Sequence, residues 1–115
     1  MDITRTIQAT EDPSWVAQLF DGSIQEAWFP LPCVPKNADR GDWLYVIYRG
    51  EVFGRLRINK KERRNQKPDP VGSQGHTIDA RCRVHVEVPG ELTPSAKKPL
   101  IVRGRMGFRY TPPLW

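Results

Sequence analysis

The sequence predicts a small, mainly β domain of the α+β class, with five or six strands and one N-terminal helix. Residues 43–48 are six consecutive apolar or aromatic residues, a pattern typical of a strand buried on both faces. Residues 52–58 and 81–88 alternate apolar and polar side chains with a period of two, which is typical of strands with one exposed face. A chain of 115 residues forms about one core, so we expect residues 1–115 to be a single domain.

A short amphipathic helix is predicted near the start of the chain. Asp12 can accept hydrogen bonds from the first free N–H groups of a helix, and Pro13 suits the first helical position. Two apolar pairs follow at a spacing of four residues, namely Trp15 with Leu19 and Val16 with Phe20. Gly22 supplies a stop. We expect Trp15 and Phe20 to pack in the core, where the helix plugs a barrel end or covers the sheet, with ligand stacking as the alternative.

The segment after the helix is predicted to be a strand followed by a loop. Residues 23–29 have strand character, and the prolines that begin at Pro30 disfavour both helix and central strand pairing, so residues 30–42 are a predicted loop. Trp28 and Trp43 flank this loop. Since every nucleobase can stack on an aromatic ring, these two tryptophans are candidate base-stacking residues, with packing in the core as the alternative.

Residues 43–49 and 52–58 are predicted to pair as antiparallel strands, because the turn between them is too short for a parallel crossover. In the second strand, one side is predicted to carry Val52, Gly54, Leu56 and Ile58. The other side is predicted to carry Phe53, Arg55 and Arg57. A glycine such as Gly54 inside a strand indicates a bulge, a sharp bend or the close approach of another group.

The strand pattern is lost over residues 59–80, which predicts a long loop. From Arg55 to Lys67 there are seven basic residues and one acidic residue, Glu62. Like charges at this density resist packing, so we expect the basic part of the loop to stay mobile until it meets an anion.

The remaining predicted strands lie in the basic half of the chain. Polar and apolar side chains alternate without interruption over residues 81–88, and the strand is predicted to end at Pro89-Gly90. Its predicted inward residues are Cys82, Val84, Val86 and Val88, and its outward residues are Arg81, Arg83, His85 and Glu87. Residues 100–110 predict one long bent strand or a hairpin around Gly104, with Arg103, Arg105 and Arg109 on one side. Leu114 and Trp115 are expected to pack against the small β-barrel that the five or six strands are predicted to form.

Charge is distributed unevenly along the chain. Residues 1–54 hold four basic and eight acidic residues, whereas residues 55–115 hold fourteen basic and five acidic residues. A positive field of this kind attracts polyanions, so nucleic acid is the favoured partner class, with a basic surface that has no specific partner as the alternative. The predicted nucleic-acid-binding residues are Arg55, Arg57, Lys60, Lys61, Arg63, Arg64, Arg81, Arg83, Arg103 and Arg105.

Several other classes are not supported by the sequence. The first residues lack the basic flank and apolar run of a signal peptide, and no apolar stretch exceeds six residues. We therefore expect a soluble, cytoplasmic protein that does not bind a membrane. Cys33 and Cys82 have no CxxC spacing and are predicted free thiols. Together with His76 and His85 they form no close-spaced ligand pair, so no metal and no other cofactor is expected.

The central hairpin resembles the core of the PUA-like superfamily, which includes the ASCH, EVE and YTH domains. The resemblance covers residues 13–58 and rests on Gly41-Asp42, the apolar run that follows, Gly50, Gly54 and Ile58. The ASCH pattern GxKxxExR is not met, because its Lys, Glu and Arg positions hold Ile24, Ala27 and Phe29. The resemblance implies a small mixed β-barrel of five or six strands with a helix at its end, and members of the superfamily commonly bind RNA or modified DNA. No catalytic residue is carried over.

Three functions follow from these observations. The first is a non-enzymatic nucleic-acid-binding module, in which the strand arginines and the basic loop hold the phosphate backbone. The second is an enzyme that acts on a nucleoside or RNA in the barrel cleft through His76, Glu26 or Asp79. The third is a protein-interaction or inhibitor domain for an acidic partner, since Arg, Trp and Tyr also dominate protein interfaces.

Overall fold

The computed structural model describes residues 1–63, 82–103 and 107–115, together with the backbone of residues 69–71 and 76–78. The elements follow in the order β1 (Asp2–Ile7), α1 (Pro13–Asp21), β2 (Ala27–Leu31), β3 (Trp43–Tyr48), β4 (Glu51–Arg63), β5 (Asp69–Val71), β6 (His76–Ile78), β7 (Cys82–Leu92) and β8 (Phe108–Thr111). The prediction of a mainly β domain with one helix is confirmed.

The main sheet has six strands in the order β2-β7-β4-β3-β1-β8 and curves into a half-barrel. β1 and β3 run parallel, and the other four neighbouring pairs are antiparallel, so the sheet is mixed as expected. β5 and β6 pair with each other as a separate antiparallel hairpin. The predicted pairing of residues 43–49 with residues 52–58 is confirmed in β3 and β4.

Helix α1 covers one face of the sheet, here called the inner face, which carries Leu44, Leu56 and Val84. Asp12 accepts a hydrogen bond from the Ser14 N–H at 2.9 Å, as a helix cap does. Val84 and Val86, which were predicted to point inward, are buried, and so is Ile47 in the run predicted to be buried on both faces. The inner-face core also includes Ile3, Val16, Leu19, Phe29, Leu31, Val46 and Ile58.

The expectation that Trp15 lies in the core is wrong. Val16 and Leu19 are the buried residues of α1, and Phe20 packs beside them, so the apolar stripe follows a spacing of three and four residues. Trp15 lies at the border of this stripe and remains 42% exposed.

Strand β3 is buried on both faces, as predicted, because a second cluster forms on the outer face. Tyr45, Ile47 and Val52 pack there against the C-terminal residues Leu114 and Trp115. The Trp115 ring meets the Tyr45 ring edge-on with 5.1 Å between centroids, and the Leu114 N–H donates to the Tyr45 hydroxyl at 3.0 Å. The predicted packing of the chain's last two residues is therefore confirmed.

A bulge in β4 corrects the predicted sides of that strand. Val46 pairs with Gly54 and Ile47 pairs with Val52, which leaves Phe53 as the extra residue. Val52 therefore turns to the outer face, and Phe53 turns inward, where its ring lies 5.3 Å from that of Phe20. The prediction that Val52 shares a side with Leu56 and Ile58 is wrong. Of the three alternatives that Gly54 raised, a bulge is present at the preceding residue, Phe53, and Phe20 closely approaches Gly54 itself.

Strand β1 was not predicted. It pairs with β3 on one side and with β8 on the other. Arg5 lies between Ile3 and Ile7 on the inward side, so the alternation expected of a strand is broken. The Arg5 Nη1 atom donates to the Gly107 carbonyl oxygen at 3.3 Å, and burial lowers the pKa of its guanidinium.

Three strands extend beyond their predicted ends. β2 continues through Pro30 to Leu31, which is tolerated because β2 is an edge strand. β4 continues to Arg63 and β7 passes through Pro89-Gly90 to Leu92, and these two strands pair along their length with two register shifts. Residues 59–63 are therefore strand and not loop, because β7 supplies the pairing that periodicity did not reveal.

Residues 100–102 and β8 do not form one continuous strand with shared partners. The Val52 N–H donates to the Leu100 carbonyl oxygen at 2.9 Å, and the Val102 N–H donates to the Gly50 carbonyl oxygen at 3.3 Å. β8 pairs instead with β1. The predicted bend at Gly104 lies outside the described residues.

Candidate nucleic-acid interface

Leu114 and Trp115 cover only part of the outer face. The part that they leave uncovered is here called the open sheet face. In antiparallel pairs, directly opposed side chains point to the same face of the sheet. The register aligns Trp43 with Arg57 and Glu87, Trp28 with His85 and Lys60, and Arg83 with Glu62. These eight residues, contributed by strands β2, β3, β4 and β7, define the open sheet face.

Arginine and tryptophan side chains are in contact on this face. The guanidinium carbons of Arg55 and Arg57 each lie 3.9 Å from the centroid of the Trp43 ring. The guanidinium carbon of Arg83 lies 4.1 Å from the centroid of the Trp28 ring. A cation over an indole is attracted by the ring quadrupole, so these contacts limit the orientations of the arginines.

The Arg55 guanidinium is already bonded to other groups of the protein. Its Nε donates to the Glu91 carboxylate at 2.7 Å, and its Nη1 donates to the Trp115 carbonyl oxygen at 2.7 Å. Its side chain is only 14% exposed. Arg57, in contrast, is exposed and uses Nη1 on the Gly41 carbonyl oxygen at 2.7 Å, which leaves other guanidinium donors facing solvent.

Acidic residues offset part of the positive charge of the open sheet face. The His85 Nε2 lies 3.0 Å from the Glu62 carboxylate, and Glu87 is directly opposite Arg57. The face therefore carries three cationic side chains, Arg57, Lys60 and Arg83, and two acidic ones. The sequence already showed Glu62 and Glu87, but without the register their positions beside the arginines were not visible.

The other predicted binding residues do not lie on this face. Lys61 and Arg63 are opposite Val84 and Cys82, on the inner-face side, and the Lys61 Nζ donates to the Pro35 carbonyl oxygen at 3.2 Å. Arg103 follows the segment bonded to Gly50, roughly 30 Å along β4 from Lys60 at the usual strand rise. The predicted residues Arg64, Arg81 and Arg105 lie outside the described residues.

A pocket of about 220 Å³ lies at the free edge of β2. Trp15 and Trp28, which are 42% and 37% exposed, both line it, and so does Glu26. Glu26 is one of the three acid–base candidates from the sequence. The side chains of the other two, His76 and Asp79, lie outside the described residues.

The cysteines are free thiols, as predicted: Cys33 is exposed, and Cys82 is buried among the strands. Burial raises the pKa of the Cys82 thiol. Over the described part of the chain, no three His, Cys, Asp or Glu side chains are placed to hold a metal ion. No helix within that part has the length and apolar character to cross a membrane.

Comparisons with protein-family models, curated proteins and solved structures find no match for the chain. They neither support nor contradict the resemblance to the PUA-like superfamily.

Proposed function

We propose that this protein is a nucleic-acid-binding module that holds a single strand of RNA or modified DNA on the open sheet face. The observation that carries the proposal is the presence of two arginine–tryptophan pairs on that face, Arg57 with Trp43 and Arg83 with Trp28. Positively charged grooves with aromatic platforms bind single strands, because phosphates meet the cations and unpaired bases stack on the rings.

The two pairs are separated by a distance suited to more than one nucleotide. β2 and β3 are three strand spacings apart in the sheet, which corresponds to about 14 Å. Lys60 and His85 lie in the register row of Trp28, and Arg57 and Glu87 lie in the row of Trp43. Trp28 is exposed and is the ring offered to a base, whereas Trp43 is already contacted by two guanidinium groups and orients them toward phosphates.

The number of cations on the face sets the expected salt dependence of binding. Three phosphate contacts, from Arg57, Lys60 and Arg83, give a slope of log K against log salt of about −2 for a single strand. A duplex does not offer unpaired bases to Trp28, so single strands are expected to bind more tightly than duplexes of the same sequence.

Fluorescence anisotropy with single-stranded and duplex RNA and DNA, at several salt concentrations, tests the proposal. Arg83→Ala is expected to weaken binding and to make the salt slope shallower by about 0.7. Arg63→Ala and Arg103→Ala are matched controls, because they remove the same charge away from the open sheet face. Equal losses for all three variants would contradict this location. Absence of binding to every probe at about 50 mM salt would favour an acidic protein partner instead.

The pocket at the edge of β2 favours a second candidate function, an enzyme acting on a nucleoside or RNA. A carboxylate, Glu26, lines this pocket together with two exposed tryptophans. Incubation with nucleosides and RNA, followed by chromatography of the products, tests this function, with Glu26→Gln as the variant. Conversion by the wild-type protein that is lost in Glu26→Gln would support it, and absence of any product would exclude it for those substrates.

A further inference from the structure

A second cavity lies at the turn end of the β3–β4 hairpin, far from the open sheet face. Its volume is about 360 Å³, within the usual range for small-molecule sites. The apolar part of its lining is formed by Tyr48, Val52, Phe53 and Leu92. Its charged groups are Arg49, Glu51 and Lys98.

The walls of this cavity are fixed by hydrogen bonds between separate segments. The Thr93 hydroxyl donates to the Val52 carbonyl oxygen at 2.6 Å, and the Thr93 N–H donates to the Phe53 carbonyl oxygen at 3.2 Å. These bonds join the end of β7 to the start of β4. Two of the segments that line the cavity are therefore held together by the protein itself.

Arg49 occupies an unfavourable backbone conformation at the rim of the cavity. Its φ is +54°, and Gly50 follows with φ +79°, the pattern of a two-residue hairpin turn with both central residues left-handed. Asn, Asp and Gly are preferred at the first of these positions, and a long side chain is disfavoured there. Residues held in such conformations cluster at functional sites. We therefore expect a function of the Arg49 side chain other than forming the turn.

The Arg49 side chain is oriented by its neighbours but still has donors available. Its guanidinium carbon lies 5.0 Å from the centroid of the Tyr48 ring, and its Nε donates to the Ala9 carbonyl oxygen at 3.4 Å. Among the described residues, neither terminal guanidinium nitrogen has a hydrogen-bond partner. Two parallel N–H donors of this kind match a carboxylate in bidentate geometry.

The charges of the lining select the charge of the ligand. Two cations, Arg49 and Lys98, and one carboxylate, Glu51, leave one net positive charge. A single negative charge complements this sum, whereas a phosphate dianion would leave the site with one net negative charge. The apolar residues of the lining suit a hydrocarbon or aromatic group attached to the anion.

We propose that this cavity binds an apolar monocarboxylate, with the carboxylate on Arg49 and Lys98 and the apolar group against the side chains of Tyr48, Phe53 and Leu92. The same chemistry is offered by a free small-molecule acid and by the C-terminal carboxylate of a peptide with an apolar last residue. This site is independent of the proposed nucleic-acid interface.

Titration of the ¹⁵N-labelled protein with 4-phenylbutyrate, followed by NMR, tests the proposal. Saturable shifts are expected at Arg49, Gly50 and Lys98, and the matched probes 4-phenylbutanamide and 4-phenylbutylamine are expected to bind at least about tenfold more weakly, as loss of a charge-assisted contact predicts. Equal binding of the acid and the amide would overturn the proposal.

Arg49→Asn separates a binding role from a structural one. Asn suits the left-handed turn position better than Arg, so this variant is expected to melt at a higher temperature while losing carboxylate binding about tenfold or more. Arg49→Lys keeps the charge and is expected to retain part of the binding. Undiminished binding of 4-phenylbutyrate by Arg49→Asn would overturn the assignment, and unchanged RNA binding by the same variant would show that the two sites are separate.

N-acetyl-Gly-Phe, as the free acid and as the C-terminal amide, distinguishes the two sources of the carboxylate. Tighter binding of the peptide acid than of 4-phenylbutyrate assigns the cavity to peptide C-termini, and the reverse order assigns it to small acids. Indistinguishable binding of the peptide acid and amide would count against the proposal.

Discussion

The ring of Phe20 in α1 lies directly against the α-carbon of Gly54 in β4. A Cβ atom placed on Gly54 would overlap the Phe20 ring and would come within 2.5 Å of the Glu91 carbonyl oxygen. The same ring lies beside Gly90 of the neighbouring strand β7, where an added Cβ would be 2.9 Å away. Gly54 and Gly90, on adjacent strands, therefore leave the space in which the Phe20 ring of the helix packs.

Gly54→Ala is therefore expected to destabilise the fold by about 1–3 kcal/mol or more. The Phe20 ring and the Glu91 carbonyl oxygen lie on different elements, and the second is a backbone atom, so the added methyl group cannot be accommodated by moving one side chain. Urea unfolding followed by circular dichroism measures this. Gly22→Asn is the matched control: Gly22 has φ +82°, and no atom lies within 4 Å of its added Cβ, so Asn is tolerated there. Similar stability of Gly54→Ala and the wild-type protein would contradict the close contact.

Val86→Ala is expected to cost about 1–3 kcal/mol, since it removes two methyl groups from a side chain packed in the inner-face core. Its neighbour in sequence, Glu87, points to the open sheet face and serves as the control through Glu87→Ala. Thermal melts of both variants provide the comparison. An unchanged melting temperature for Val86→Ala would argue against the orientation of β7.

The cap of α1 should make stability depend on pH in the acid range. Hydrogen bonds from the Ser14 N–H and hydroxyl hold the pKa of Asp12 below its ordinary value. The stabilisation is therefore present above the ordinary pKa and is lost as the pH falls through the lowered folded-state pKa. Melting temperatures of the wild-type protein and Asp12→Asn, measured from pH 5 to pH 2, should converge toward low pH. A constant difference across this range would show that the carboxylate charge plays no part.

Trp28→Ala is expected to weaken binding of single-stranded nucleic acid by about 1–3 kcal/mol, the usual contribution of one base stacked on an aromatic ring. Trp15→Ala removes a similarly exposed indole that lines the edge pocket but does not lie on the open sheet face, and is the matched control. Anisotropy measures affinity, and a thermal melt checks that both variants are folded. If both variants bind like the wild-type protein, stacking on Trp28 is excluded.

The periodicity of apolar residues was sufficient to predict the strands in which one face is apolar and buried. The pairing of β3 with β4 and the alternation of β7 up to Val88 were predicted correctly, because most inward positions there are apolar, but the bulge at Phe53 that turns Val52 to the outer face was not placed. β1 was missed because the inward residue between its two isoleucines is Arg5. The last residues of β4 were missed because they lie beyond the core. They keep the backbone hydrogen bonds of a strand but lack the alternation of apolar and polar side chains.

The candidate site was predictable only in part. The outward arginines and the two tryptophans were visible in the sequence, but their proximity depends on strand order, and strand order depends on contacts between distant residues. The register places Arg57 and Arg83 on one face and Lys61 on the other. Bulges near Asn59 and Phe53 change which residues share a face, and no local pattern marks the first of them.

The cover that residues 114 and 115 provide for β3 has a consequence during synthesis on the ribosome. Chains emerge from the N-terminus, so Tyr45 and Ile47 are made long before the residues that shield their outer side chains. The strand pairing of β1 with β8 likewise joins residues about a hundred positions apart. Contacts of such separation slow folding, and the apolar side chains on the outer face of the central hairpin stay uncovered until residues 114 and 115 have been synthesised.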